Sequence, residues 1–163
     1  MPEKYAGPPA FHQHDHSCCA QDVLAYADKS VREAGLRLTP VRRRALEVLL
    51  ENHRAMGAYD VLKRLAKDGF GNQPPVAYRA LDFLVENGLA HRVRRLNAYM
   101  ACMHPETDHA PLFLICRECG AVAESVAPNV HNEIATAASI VNFAPERVNV
   151  EVLGLCPACR DPA

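Results

Sequence analysis

Four of the seven cysteines form two Cys-x-x-Cys pairs, Cys116 with Cys119 and Cys156 with Cys159, and 36 residues separate the pairs. Each pair follows a short apolar run that is typical of a β-strand. Two such pairs can direct four thiolates at one point and complete a tetrahedral S₄ shell, which is typical of structural zinc. Rubredoxin-like iron would use the same ligands, and a redox dithiol would use a single pair. Because four ligands close the shell, we expect a metal that stabilises the fold and binds no substrate.

A second set of metal-binding residue types is more widely spaced: His91, Cys102, His109 and Glu124. Each is ordinary by itself, as a surface histidine, a small buried cysteine, a loop histidine or a solvated glutamate. Together they surround the joint between the two halves of the chain. Two imidazoles, one thiolate and one carboxylate suit Zn²⁺ better than Mg²⁺ or Mn²⁺. The spacing therefore indicates a second zinc site, more weakly than the cysteine pairs indicate the first.

The charge is divided unevenly along the 163 residues. Residues 23–97 carry 14 Lys and Arg against 8 Asp and Glu, whereas the rest carries 4 against 11, which gives the net charge of −1. A basic segment joined to an acidic one suggests two modules, one of which faces a polyanion. The longest apolar run, Leu112 to Cys116, is too short to cross a bilayer, and no signal peptide is evident. We therefore expect a cytoplasmic protein with no membrane partner.

Hydrophobic periodicity and turn residues predict an α+β protein with two domains. Residues 21–102 should form three or four helices followed by a two-stranded wing, which is the pattern of a winged helix-turn-helix domain. Residues 103–111 are predicted to be a hinge, and residues 112–163 a small domain of three strands and one helix. Residues 1–20 are predicted to be a disordered tail. Its His- and Cys-rich tract, His12 to Cys19, is a candidate weak metal chelator. The predicted helices cover 21–34, a segment from Pro40, 58–67, 74–86 and about 128–141. The predicted strands cover 90–96, 98–102, 112–115, 121–126 and the alternating positions 148–152.

Several motifs make the chain similar to a known family. They are Arg37-Leu-Thr-Pro40, the run from Pro74 to Leu84 (Pro-Pro-Val-Ala-Tyr-Arg-Ala-Leu-Asp-Phe-Leu), and the two cysteine pairs, the first of which continues into Gly-Ala-Val. Over residues 25–160 the chain resembles the ferric uptake regulator family of bacterial metal-dependent repressors. The segment Arg-Ala-Leu-Asp-Phe-Leu resembles the corresponding segment of the zinc-responsive members of that family.

The resemblance implies a zinc-responsive transcriptional repressor that binds double-stranded operator DNA as a homodimer when zinc is bound, and that controls zinc uptake genes. It implies a winged-helix DNA-binding domain, a C-terminal α/β dimerisation domain, and two Zn²⁺ per protomer. One zinc would be structural, at the four paired cysteines. The other would be regulatory, at the interdomain hinge, with His91, Cys102, His109 and Glu124 as ligands by position. No catalytic residues and no small-molecule substrate are expected. The residues expected to contact DNA are Tyr59, Tyr78, Arg79, Arg42, Arg43 and Lys63.

Other functions stay open from the residues. The chain could be a sibling regulator that senses another metal, or a constitutive zinc-ribbon DNA-binding protein whose metal is purely structural. A zinc deaminase is disfavoured. His131-Asn-Glu133 imitates part of that enzyme pattern, but Leu155 stands where the pattern needs proline before Cys156. His104 and His131 stay open as further metal ligands.

Overall fold

The computed structural model describes residue 11 and residues 16–51, 54–107 and 109–161. The chain divides into two compact units between Thr107 and Asp108. We call the described residues 16–107 the N-terminal unit and residues 109–161 the C-terminal unit. The division lies inside the segment 103–111, whose role as a hinge stays a prediction. Residues 1–10 and 12–15, which make up most of the predicted tail, lie outside the described residues.

The N-terminal unit combines helices with a small antiparallel sheet, in which β3 lies between β1 and β2. Its core is formed by aliphatic side chains from the helices, among them Leu46, Val61, Leu65, Leu81 and Leu84, each fully buried. These positions repeat at helical spacing, so each helix presents one apolar face to the others. The elements are α1 (His16–Glu33), α2 (Pro40–Leu50), β1 (Met56–Gly57), α3 (Ala58–Lys67), α4 (Pro74–Glu86), β2 (Ala90–Val93) and β3 (Ala98–Ala101).

The sequence-based prediction differs from this unit in two places. Helix α1 begins at His16, so the last residues of the predicted tail are helical. Neither Pro nor Gly stands between Pro9 and that helix to stop it. The wing has a third strand, because β1 pairs with β3 with Met56 opposite Tyr99. Thr39 lies at the N-cap of α2, but its hydroxyl makes no capping bond and is buried without a hydrogen-bond partner among the described residues.

The C-terminal unit is built on a sheet in which β4 lies between β5 and β6. Strand β4 pairs antiparallel with β5 and parallel with β6, with Leu112 opposite Val150. Phe113, Ile115 and Val122 are its buried apolar centre. The elements are β4 (Pro111–Cys116), β5 (Val122–Val126), α5 (Pro128–Ile140), β6 (Val150–Gly154) and the short helix α6 (Pro157–Arg160), which the sequence had not indicated.

Helix α5 has no buried residue in the single chain. Ile140 is 80% exposed, and Val141 and Phe143, which follow the helix, are 71% and 65% exposed. On β6, the next strand along the chain, Val152 and Leu153 are also exposed. The C-terminal unit therefore has several large apolar side chains that the rest of the unit does not cover. None of the described helices is long and apolar enough to span a membrane.

Candidate metal centres and nucleic-acid interface

The two cysteine pairs meet at one edge of the C-terminal sheet. Strands β4 and β6 run parallel, so their carboxyl ends lie side by side, with Cys116 opposite Gly154 in the register. The amide of Arg117 donates to the carbonyl of Gly154 at 2.9 Å, which ties the first turn to the end of β6. Cys156 follows two residues later at the N-cap of α6, which carries Cys159. Parallel pairing of two strands thus brings both pairs to the same place.

The sulfur atoms of Cys116, Cys119, Cys156 and Cys159 all lie within 4.8 Å of one another. Cys119 Sγ lies 3.7 Å from Cys156 Sγ, which is far too long for a disulfide. A tetrahedral zinc with Zn–S bonds of about 2.3 Å separates its sulfurs by roughly 3.8 Å. Cys116 and Cys156 are buried and the other two half-buried. The donor set, its spacing and its burial fit a closed S₄ metal centre.

Backbone hydrogen bonds favour a thiolate at one corner of this cluster. The amides of Cys119 and Cys156 lower the pKa of Cys116 to about 6, against the opposing effect of burial. A hydrogen bond to Cys156, together with burial, raises the pKa of Cys159 to about 12. Cys116 therefore loses its proton more readily than Cys159 in the absence of a metal. A divalent cation would replace those protons and hold all four as thiolates.

The predicted regulatory ligands form two pairs, each within one unit. In the N-terminal unit, His91 lies opposite Met100 in the β2–β3 ladder, and Cys102 lies two residues beyond Met100 on the same face. A ring nitrogen of His91 and the sulfur of Cys102 lie within 4.8 Å of each other. Cys102 is fully buried, and its amide donates to the carbonyl of Leu89 at 3.0 Å. This pair could provide a metal with one imidazole ligand and one thiol ligand that is shielded from solvent.

In the C-terminal unit, His109 Nε2 lies 2.5 Å from Glu124 Oε1. The side chains are 7% and 2% exposed. Glu124 is on β5 opposite Phe113, and His109 precedes β4. Glu124 is the one buried charged residue among those described. A buried carboxylate requires a partner, and here the partner is an imidazole that also ligates metals.

Helix α4 presents polar and aromatic side chains opposite its buried face. Ala77, Ala80 and Leu81 are buried, whereas Tyr78 and Arg79 are exposed. Tyr78 lies edge to face with the exposed Tyr59 of α3, with ring centroids 6.5 Å apart. The structure thus brings two of the predicted DNA contacts together. Arg79, also predicted to contact DNA, is exposed on the same helix.

The other predicted cationic contacts have partners of their own. The Arg42 guanidinium lies 3.6 Å from the Phe83 ring centroid and donates to the carbonyl of Arg37 at 2.7 Å. Arg43 forms ion pairs with Asp28 and Glu47. The hydrogen bond that Arg43 donates to Asp28 is the largest effect raising the pKa of Arg43. On α3, Lys63 pairs with Asp60 at 3.0 Å. These contacts fix the positions of the cations, and at Arg43 they also neutralise much of the charge.

The sequence profile of the Ferric uptake regulator family matches residues 33–153. The chain belongs to this family. It is 38% identical over 140 residues to the zinc uptake regulation protein of Escherichia coli K12, which covers 85% of this chain and 82% of that protein. A solved structure described as a zinc uptake regulator complexed with zinc and DNA matches with a TM-score of 0.83 and 37% identity, over 86% of this chain and 95% of that one. The crystal structure of holo XcZur matches with a TM-score of 0.78 and 34% identity, over 85% and 97% of the two chains.

Membership of the ferric uptake regulator family confirms the resemblance seen in the sequence and the α+β fold class. The family is one of transcription regulators, and the chain is a transcriptional regulator of this kind. Within the described ranges, neither His104 nor His131 joins a group of three or more metal-ligating side chains. The side chains of the His12–Cys19 tract are not among those that the structure describes.

Sequence reasoning missed the contact between Arg42 and Phe83. The Phe83 ring is buried on α4, and the Arg42 guanidinium lies over it, which links α2 to α4. No spacing rule connects two residues on different helices, so the sequence held no signal for this contact. The Arg43–Glu47 pair was detectable, because residues four apart on a helix are neighbours.

Proposed function

We propose that this chain is a zinc-responsive repressor that binds operator DNA as a zinc-loaded homodimer and controls zinc uptake genes. It would act in the cytoplasm on double-stranded DNA and would have no catalytic activity. The similarity to a zinc uptake regulation protein and to a regulator solved with zinc and DNA supports the proposal. The observation that carries it is the composition of the proposed second ligand set, which contains a buried cysteine thiol, two imidazoles and a carboxylate.

The first proposed zinc is structural and is held by the four paired cysteines. Sulfurs within 4.8 Å of one another match the S₄ geometry and leave no open position for a substrate. Few apolar side chains are buried in the C-terminal unit, so metal binding would contribute a large part of its folding free energy. We assign zinc rather than iron because the similar structures are of zinc regulators.

The second proposed zinc is regulatory and is held by His91, Cys102, His109 and Glu124. Thiolate and imidazole ligands select zinc over magnesium and manganese. The first two ligands belong to the N-terminal unit and the other two to the C-terminal unit. A metal that requires all four would restrict the proposed hinge, residues 103–111, and favour one arrangement of the DNA-binding domain (21–102) and the dimerisation domain (112–163). Zinc would thereby act as co-repressor through a population shift.

The proposed DNA contacts centre on α4. Arg79 is exposed there and can pair with a guanine edge in the major groove. Tyr59 and Tyr78 form an exposed aromatic pair beside it. The cations Arg42, Arg43 and Lys63 are proposed phosphate contacts, which position the helix without reading sequence. Of these, Arg43 also forms ion pairs with Asp28 and Glu47, so those carboxylates would compete with a phosphate for its guanidinium.

The exposed apolar surface of the C-terminal unit supports the proposed homodimer. Ile140, Val141 and Phe143 are mostly exposed in the single chain. Ile140, Val141 and Phe143 are close together in the sequence, and large apolar side chains exposed together are typical of protein interfaces. A two-fold dimer would also present two α4 helices to successive major grooves and match a palindromic operator.

A titration of operator affinity against buffered free zinc, with wild type and Cys102→Ser compared, tests this function. Serine is close in size to cysteine but is a poor neutral ligand, so we expect a folded dimer that keeps its structural zinc and loses about one zinc per protomer. Its operator binding should be weak at free zinc concentrations that saturate wild type. Cys18→Ser removes a thiol from outside both proposed sites, so a shift of its curve would instead assign part of the zinc response to the His12–Cys19 tract.

The alternatives give different outcomes in the same titration. Overlapping curves for wild type and Cys102→Ser, with affinity independent of zinc once the structural site is full, would indicate a constitutive DNA-binding protein. A wild-type response to buffered Fe²⁺ or Mn²⁺, and not to Zn²⁺, would indicate a sibling regulator that senses another metal.

A further inference from the structure

Phe11 groups with the C-terminal unit, although it lies only five residues before α1. The compact unit that contains residues 108–163 also contains Phe11, whereas α1 belongs to the N-terminal unit. The Phe11 side chain is half-buried. This grouping places an aromatic side chain from the start of the chain against the C-terminal unit. We call residues 1–10, which precede it, the leading segment.

The C-terminal unit also leaves many large apolar side chains exposed. Of the eleven exposed large apolar residues among those described, seven belong to this unit, although it contributes fewer than half of the described residues. Ile140, Val141 and Phe143 are the most exposed of the seven, at 80%, 71% and 65%. Phe11 itself therefore leaves these three side chains exposed, and any cover for them must come from another part of the chain or from a partner.

We propose that the leading segment, anchored by Phe11, covers Ile140, Val141 and Phe143 in the monomer and competes with a second copy of the chain for them. The inference rests on the proposed function only in taking these side chains as part of the homodimer interface. Ten residues extend up to about 33 Å, whereas the 13 residues of α5 span only about 20 Å. The segment is therefore long enough to reach the end of α5 from an anchor on the same unit.

The composition of the leading segment suits an apolar surface. It contains Pro2, Pro8 and Pro9, and prolines favour an extended polyproline conformation that loses little entropy when it docks. Tyr5 adds a large side chain with an apolar ring. One acidic and one basic residue, Glu3 and Lys4, leave the side-chain charge of the segment at zero. Charge therefore does not oppose docking, and the apolar side chains supply the attraction.

The tether to Phe11 favours the leading segment over a second copy when the protein is dilute. A short flexible link gives a tethered segment an effective concentration of about 1 mM, far above the concentration of a free partner in a dilute solution. If about one third of the protomers have the surface free, the two protomers of a dimer together lower the apparent dimer affinity about tenfold. The segment would thus shield the apolar side chains of the monomer and raise the protein concentration that dimerisation requires.

Sedimentation of the zinc-loaded chain at several protein concentrations tests the competition. Deletion of residues 2–10 should lower the dimer dissociation constant about tenfold, because the surface is then free in every protomer. The full-length variant Tyr5→Ser/Phe11→Ser, which keeps the length of the segment and removes its aromatic side chains, should change the constant in the same direction. Glu3→Gln/Lys4→Gln is the matched control, because it changes two polar residues of the same segment, and it should behave as wild type.

Isoleucine methyl signals in NMR spectra test the docking independently of dimerisation. The chain has only three isoleucines, Ile115, Ile134 and Ile140, and all three lie in the C-terminal unit. At a concentration where sedimentation shows monomer, the Ile140 methyl signals of the full chain and of the truncated chain should differ. Ile115 is 2% exposed and serves as the internal control, so its signal should be the same in both chains. Zinc content and circular dichroism establish that each variant is folded.

Three results would overturn the proposal. They are a truncated chain whose dimer is no tighter than that of wild type, an aromatic variant indistinguishable from the Glu3/Lys4 control, and an Ile140 signal that is identical in the full and truncated monomers. A failure of the proposed homodimer would look different, because both chains would then stay monomeric at every concentration. Failure of the proposed zinc response would instead appear in the Cys102→Ser titration.

Discussion

Cys119 Sγ lies 3.7 Å from Cys156 Sγ, although 37 positions separate the two residues in the sequence. This contact joins the turn after β4 to the turn after β6 and completes the cluster of four sulfurs. Nothing covalent joins the two turns, since the described cysteines are free thiols. A shared metal is therefore the bond that would hold this edge of the C-terminal unit together.

We predict that Cys116→Ser removes the structural zinc and unfolds the C-terminal unit. Three thiolates bind zinc much more weakly than four, and the free energy of metal binding stabilises this unit directly. Zinc content should fall by at least one ion per protomer, the far-UV circular dichroism should decrease, and sedimentation should show loss of the dimer. Cys102→Ser, which lies outside the cluster, should keep both fold and dimer. A folded Cys116→Ser dimer without structural zinc would refute this assignment.

Arg79→Ala should lower specific DNA affinity by about 1–3 kcal/mol and relax selection at one base position, because a bidentate contact to guanine carries sequence information. Arg43→Ala should weaken binding to all sequences alike and reduce the salt dependence. Binding to single-base variants of the operator, measured at several salt concentrations, distinguishes the two effects. Identical profiles for the two variants would mean that Arg79 does not contact a base.

Ile140→Asp should dissociate the homodimer without unfolding the chain. The Ile140 side chain is 80% exposed in the single chain, so an aspartate there should change the stability of the monomer little. In an apolar interface its carboxylate would be buried without a partner, which would weaken the dimer. Sedimentation at several protein concentrations measures the change in dimer affinity. Leu36→Asp places the same charge at an exposed position of the N-terminal unit, and it should remain dimeric. If both variants are dimers, the interface lies elsewhere.

Leu81→Ala should destabilise the N-terminal unit by about 2–5 kcal/mol, the usual effect of leaving a cavity at a fully buried leucine. Denaturant unfolding monitored by circular dichroism gives the change in free energy. Leu36→Ala, at a position 45% exposed, should change stability by less than about 0.5 kcal/mol. An equally small change at Leu81 would show that this position is not part of the core.

The cysteine pairs and the helices could be read from the sequence because their signals are local. Two thiols in a Cys-x-x-Cys turn are already close, and helical spacing marked Leu46, Leu65 and Leu81 as buried. The prediction of the wing was incomplete because its third strand has no local signal. Strand β1 has two residues, too few for an alternating pattern, and it exists because Met56 pairs with Tyr99 from a distant part of the chain.

The sequence by itself determined the family, the fold class and the chemistry of both donor sets, since these depend on residue types and their spacing. The tertiary structure decided which distant groups meet. Parallel pairing of β4 with β6 brings Cys116 and Cys156 to one edge, and the chain reversal before β5 brings Glu124 to His109. It also decided that Asp28 neutralises Arg43 and that α5 stays uncovered. Such contacts depend on the packing of elements far apart in the chain, and no local pattern of residues encodes that packing.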